Sequence, residues 1–239
     1  MKYGKLTYLE IAEKAKEDYI AIIPTGCTEQ QGPHATVDFD TWFAEELMED
    51  VSDKASKRYG IKTIVLPAIP FGPTKEHKNF GSGYINIPQE VYEEVIYSVL
   101  ISLSEQGFKK LIIWRGCGGH QVDQVMDRFN YYYKECNVLT LNHPFYDVWC
   151  KCGGSNIPGG HADSFTTSIA LYKHPDDIRI NRIKDPNSKE PDWTDPNLDF
   201  SEYSSTGVIG DPTHASKELG ERLWHEVVDR VVEMLKKLM

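Results

Sequence analysis

No stretch of this 239-residue chain approaches the roughly 18–20 consecutive apolar side chains that a membrane-spanning helix needs. The N-terminal stretch MKYGKLTYLEIAEKAKEDY threads charges through its apolar positions and lacks the apolar core of a secretion signal. Basic residues are in deficit, with 26 Lys and Arg against 36 Asp and Glu and a net charge of −10. That excludes a sequence-independent grip on nucleic acid, which needs basic patches to neutralise phosphates. It equally disfavours docking on anionic lipid. Cysteines are few and odd in number: Cys27, Cys117, Cys136, Cys150 and Cys152. Cys150-x-Cys152 is too close for an ordinary disulfide and is no redox motif, so reduced thiols in a cytoplasmic protein are expected. Nucleotide-binding signatures are missing too. Arg115-Gly-Cys-Gly-Gly119 is not G-x-G-x-x-G, and no P-loop lysine follows it. A small polar metabolite is the partner these absences leave open.

Hydrophobic residues make up 40% of the chain and charged residues 26%, a balance that can bury a full core. Short apolar runs alternate with helical patterns, the sequence form of βαβ units. Strands are expected at 19–24, 63–66, 110–114 and 137–141. Helices are expected at 40–59, 88–105, 120–134, 161–172 and 215–238, the last with Leu219, Leu223, Val227, Val231 and Leu235 on one face. The stretch 144–160 reads as irregular, and 181–205, polar and proline-rich, as a surface excursion. There is no repeat and no linker. The expectation is one α/β domain over 1–239 with a mostly parallel sheet, whose ligands would sit beyond the strand C-termini.

Three segments concentrate side chains able to bind ions or move protons. Gly26-Cys-Thr-Glu-Gln-Gln-Gly-Pro-His34 through Asp40 offers Glu29, His34, Asp38 and Asp40, donors suited to Zn²⁺, Mn²⁺ or Fe²⁺. Arg115-Gly-Cys117-Gly-Gly-His120 adds a thiol and an imidazole on a glycine-rich loop. Gly159-Gly-His161-Ala-Asp163 opens a helix, whose N-terminal end favours an anion. None matches a standard zinc spacing. Each also has an ordinary structural role open to it: Glu29 as a turn cap, Asp40 as the N-cap of the helix that follows, His120 as a surface residue and Cys117 as a small buried thiol. Together they indicate a hydrolytic or lyase site.

At these segments the chain resembles the creatininase family. Pro24-Thr-Gly-Cys-Thr-Glu29-Gln-Gln31-Gly-Pro-His34 through Asp40 is similar to that family's P-x-G-S-x-E-Q-H-G-P-H-L-P-x-x-x-D. Pro70-Phe-Gly-Pro-Thr-Lys-Glu76-His77 is similar to P-x-G-x-S-x-E-H, and Arg115-Gly-Cys117-Gly-Gly-His120 stands where N-G-H-G-G-N is usual. Gly160-His161-Ala-Asp-Ser164-Phe-Thr166-Thr-Ser168 stands for G-H-A-G-E-x-E-T-S, and Gly207-Val-Ile-Gly-Asp-Pro212 for G-x-x-G-D-P. The resemblance implies a three-layer α/β/α sandwich and a homo-oligomer, often a hexamer. It also implies hydrolysis of cyclic amides or formamides by metal-activated water. Glu29 and Asp40 carry over as metal ligands, and His161 as the acid/base or oxyanion-stabilising residue.

Three ligand positions of the family differ here: Gln31 and Cys117 replace histidines, and Thr166 replaces an acidic residue. A single metal, most simply Zn with Mn or Fe as alternatives, would then be held by Glu29, Asp40, His120 and Cys117. Metal-free acid/base chemistry is the other course. Arg115, in place of asparagine, suits a carboxylate or several hydroxyl or keto oxygens. With His77 it extends the expected catalytic set, and Gln31, His34 and Asp163 are expected to bind substrate. The family also includes hydrolases of oxidised cyclitols such as 3-dehydro-scyllo-inosose, and a polar cyclic ketone fits these residues as a second substrate class. A catalytically retired protein, kept for small-molecule binding or assembly, is the alternative to an enzyme.

Overall fold

The computed structural model describes residues 1–141 and 143–239. At its centre lies a fully parallel sheet of β1 (Ile20–Thr25), β2 (Thr63–Val65), β3 (Lys110–Arg115) and β4 (Asn137–Thr140), in the order β2-β1-β3-β4. Every residue of β1 is buried, the unbroken apolar run of a strand covered on both faces. Strand alternation sends Ile20, Ile22, Ile112 and Trp114 to one face, and Ala21, Ile23, Leu111 and Ile113 to the other.

The first face is covered by α2 (Phe39–Tyr59), α5 (Phe145–Lys151), α6 (Ser164–Lys173) and α7 (Lys217–Lys237). The second is covered by α1 (Tyr8–Lys16), α3 (Gln89–Glu105) and α4 (Asp123–Tyr132). The three-layer sandwich expected from the sequence is therefore present. α7 buries Leu219, Leu223, Val227, Val231 and Leu235 along one stripe, and the Ser216 side chain caps its first turn. Among the described residues no helix is long and apolar enough to cross a membrane.

Two expectations need correction. The stretch 144–160 contains α5, whose seven residues are too few to show a helical period; Val148 and Trp149 bury its inner face. The excursion at 181–205 is not wholly external. Phe200 is buried, with its ring 5.0 Å from that of His77 and 5.4 Å from that of His161. Hydrogen bonds from Lys75 to the Pro196 carbonyl and from Asn79 to Asp199 tie this segment to the loop carrying His77.

Close backbone packing brings the polar segments together. Thr25 and Arg115 end β1 and β3 side by side, and a glycine follows each. A Cβ on Gly26 would lie 2.5 Å from Thr41 Cα, and one on Gly116 would lie 2.4 Å from the Thr25 carbonyl oxygen. Only glycine lets the first turn of α2 sit directly on the strand ends.

Candidate active site

Asp38 occupies the N-cap position of α2, which leaves Asp40, in the first turn, to point its buried carboxylate back over the strand ends. The N-cap role open to Asp40 is thus excluded. Glu29, in the loop after β1, is buried beside it. Cys27 Sγ stands between them, 3.1 Å from Glu29 Oε2 and 3.5 Å from Asp40 Oδ2. Cys117, after β3, completes the cluster: its sulfur, that of Cys27 and a ring nitrogen of His120 lie within 4.8 Å of one another.

Glu29 is also approached by two histidines. His77 Nε2 lies 3.3 Å from Oε2, and His161 Nδ1 lies 3.6 Å from Oε1. Gln30 orients both rings, one through its side chain and one through its backbone. The side-chain oxygen accepts from Gly32 N–H and the side-chain nitrogen donates to the Gly207 carbonyl, so Nε2 faces His77 Nδ1 at 2.9 Å as a donor. His77 therefore presents its N–H to Glu29. His161 Nε2 donates to the Gln30 carbonyl at 2.6 Å, which leaves Nδ1 as a lone pair facing the carboxylate. Burial, then the neighbouring His77, hold the His161 ring neutral, with its pKa lowered to about 4.

Electrostatically the cluster favours a cation. Burial alone would raise the Glu29 carboxyl, but His77 foremost, then His161 and Cys27, reverse this and bring it to about 2. Burial, followed by the Glu29 charge, pushes the Asp40 carboxyl well above the carboxylate range. Burial also raises the Cys27 thiol. For Cys117 the contact with Cys27 favours the thiolate, yet burial and the two carboxylates prevail and push it up to about 11. A divalent ion among these four groups would stabilise all of their charged forms.

His120 is fully buried rather than at the surface. The Trp114 carbonyl can only accept, so Thr25 Oγ1 donates to it at 3.3 Å; Tyr92 Oη then donates to Thr25 Oγ1 at 2.9 Å. The Tyr92 oxygen has only lone pairs left for His120 Nδ1 at 3.1 Å. Nδ1 thus carries the ring proton, and Nε2 keeps a bare lone pair, buried beside Gly72 and without a hydrogen-bond partner among the described residues. Gln31 Nε2 donates to Asp40 Oδ2 at 2.8 Å, which leaves its Oε1 buried without a partner among the described residues, and Thr166 Oγ1 is turned to Asp163.

Other expected site residues have structural partners. Asp163 caps α6, accepting from Thr166 N–H at 3.1 Å and Gly160 N–H at 2.8 Å, so the helix end expected to hold an anion is filled by its own carboxylate. Arg115 Nη1 donates to the His120 carbonyl at 3.1 Å, clamping the loop that carries Cys117. His34 Nε2 meets Thr167 Oγ1 at 2.8 Å between the first loop and α6.

Burial lowers both His34 and His143 to about 4, with Arg115 adding to the effect on His143. Each ring is neutral in the fold and gains a proton on unfolding below about pH 6.5, so stability falls as pH drops from there to about 4. The loss is on the order of 3 kcal/mol per histidine. Urea midpoints measured from pH 7 to pH 4 should show it, with a shallower decline in His34→Gln; identical slopes would contradict the assignment.

Residues 4–235 match the family model described as "Creatininase: Creatinine amidohydrolase". The chain belongs to the creatininase family. Among its relatives is the "Mycofactocin precursor peptide peptidase" of Mycobacterium tuberculosis, 29% identical over 228 residues, covering 91% of this chain and 85% of the relative. The "3-dehydro-scyllo-inosose hydrolase" of Thermotoga maritima is 26% identical over 181 residues, covering 73% of this chain and 56% of the relative. A solved creatininase variant of Zn-Zn type superposes with a TM-score of 0.83 at 20% identity, covering 99% of this chain and 97% of that one. These relatives carry the names of hydrolases, and a creatininase-family hydrolase is what the chain is.

Proposed function

We propose that this creatininase-family hydrolase cleaves the C–N bond of a small amide, using one divalent metal held by Glu29, Asp40, Cys117 and His120. The observation that carries the reading is the buried donor set at the ends of β1 and β3, where Cys27 stands within 4.8 Å of Cys117 and a His120 ring nitrogen on one side and of Glu29 and Asp40 on the other. Unsatisfied buried groups are costly, and a retired site has no physical reason to keep them together. Bound there, the metal would supply Lewis acidity and lower the pKa of water. His161 Nδ1, a lone pair held toward Glu29, would take the proton from the attacking water and return it to the leaving nitrogen. His77 fixes the Glu29 carboxylate, Gln30 fixes both imidazoles, and the Phe200 ring packs against both of them.

An amide substrate is favoured because creatinine amidohydrolase and a peptide peptidase, by their names, both cleave C–N bonds. Arg115 is clamped to its own loop, which weakens the case for a hydroxyl-rich ring. A ring ketone is nevertheless supported as a second reading by Arg115 Nε, which is buried without an acceptor among the described residues and could serve a keto oxygen.

The test is turnover by zinc-loaded protein of cyclic amides, short peptides and oxidised cyclitols. Amine release that is lost on chelation is expected. Cyclitol ring opening without amine release would move the assignment to the second reading. No turnover of any class would favour a retired binding protein.

A further inference from the structure

Cys27 occupies the centre of the donor cluster. It is 0% exposed, and it is the residue shared by two three-donor groups, one with Cys117 and His120 and one with Glu29 and Asp40. As a thiol it is poorly served. Its single proton faces two carboxylate oxygens, at 3.1 and 3.5 Å, with the Cys117 thiol beside it. An incidental core cysteine has no such polar company, whereas Glu29, Asp40, Cys117 and His120 all stand beside this sulfur and can all bind metal.

We infer that Cys27 is itself a metal ligand, and that with Cys117 it forms a two-thiolate site completed by His120 and the Asp40 carboxylate. The inference rests on the metal-dependent reading above and changes its chemistry. Four donors around zinc, with Zn–S near 2.3 Å and Zn–N near 2.0 Å, stand about 3.4–3.8 Å apart. The two sulfurs and a His120 nitrogen already lie within 4.8 Å of one another, and Cys27 lies equally close to the carboxylates, so the movement needed is that of a carboxylate toward Cys117 and His120. Two sulfurs select zinc over manganese, which prefers oxygen donors. Binding displaces both thiol protons to solvent, so metal uptake releases protons and weakens as pH falls. Glu29, outside the inner set, keeps the His77 ring nitrogen at 3.3 Å as its partner.

X-ray absorption at the zinc edge, on the zinc-loaded full chain and on Cys27→Ser, tests this. Two sulfur scatterers near 2.3 Å are expected in the parent protein and one in Cys27→Ser. Zinc affinity should fall in the variant by about 100-fold or more, beyond the loss caused by removing an outer-shell partner. A single sulfur in the parent protein overturns the inference whether or not the variant folds, and leaves the metal-dependent hydrolase standing. So does an unchanged sulfur count in Cys27→Ser. Failure of the parent protein to retain zinc would overturn both.

Discussion

Asp40→Ala is expected to lose its bound metal, and with it all turnover above that of the metal-stripped parent, while remaining folded. Asp40 lies in the first turn of a 21-residue helix whose packing depends on Phe43, Leu47, Met48 and Val51, all buried against the sheet. Its own side chain contributes nothing to that apolar face. Its contacts are polar, with the Cys27 thiol and the Gln31 amide. Removing it should therefore spare the core and spoil the ion site. Elemental analysis, far-UV circular dichroism and an activity assay on the same preparation separate these effects. Metal retained at one equivalent in Asp40→Ala would remove this residue from the ligand set.

The second large effect concerns His161. His161→Gln should keep its metal and lower kcat by about 10²–10⁴-fold, the usual contribution of a positioned acid/base group. Glutamine can still donate to the Gln30 carbonyl, so the backbone contact that seats the ring survives. What it cannot supply is the lone pair held 3.6 Å from Glu29. A fall in metal content matching the fall in kcat would instead make His161 a ligand, grouped with Glu29 and His77 as their proximity permits.

The alternation of apolar runs with helical periods was enough to place four strands and the α/β/α sandwich, because buried parallel strands are locally apolar and their helices are long. α5 is illegible in the sequence because its seven residues, about two turns, leave no period. α1 was legible but went unread: Thr7 and Glu10 form a capping box, the T-x-x-E pattern that opens a helix. Within the site, Glu29, Asp40, Cys117, His120, His77 and His161 were recognisable because their loops follow strand ends or hold unusual densities of donors. Asp163 was misjudged, since a residue three positions before Thr166 can cap a helix as readily as bind a ligand. Cys27 was visible in the first loop but did not stand out. Its significance comes from Cys117, 90 positions later, and their approach depends on the pairing of β1 with β3. Phe200 carries no local signal at all, because only the return of residues 181–205 over the His77 loop brings its ring to the two histidines.

One divalent ion is expected at the ends of β1 and β3. Elemental analysis of protein purified without chelators and supplemented with zinc, manganese and iron together should find it. About one equivalent, selectively zinc, is expected, as a mixed thiolate, imidazole and carboxylate set requires. Protein that emerges from that mixture with no bound metal, yet hydrolyses an amide, would contradict it.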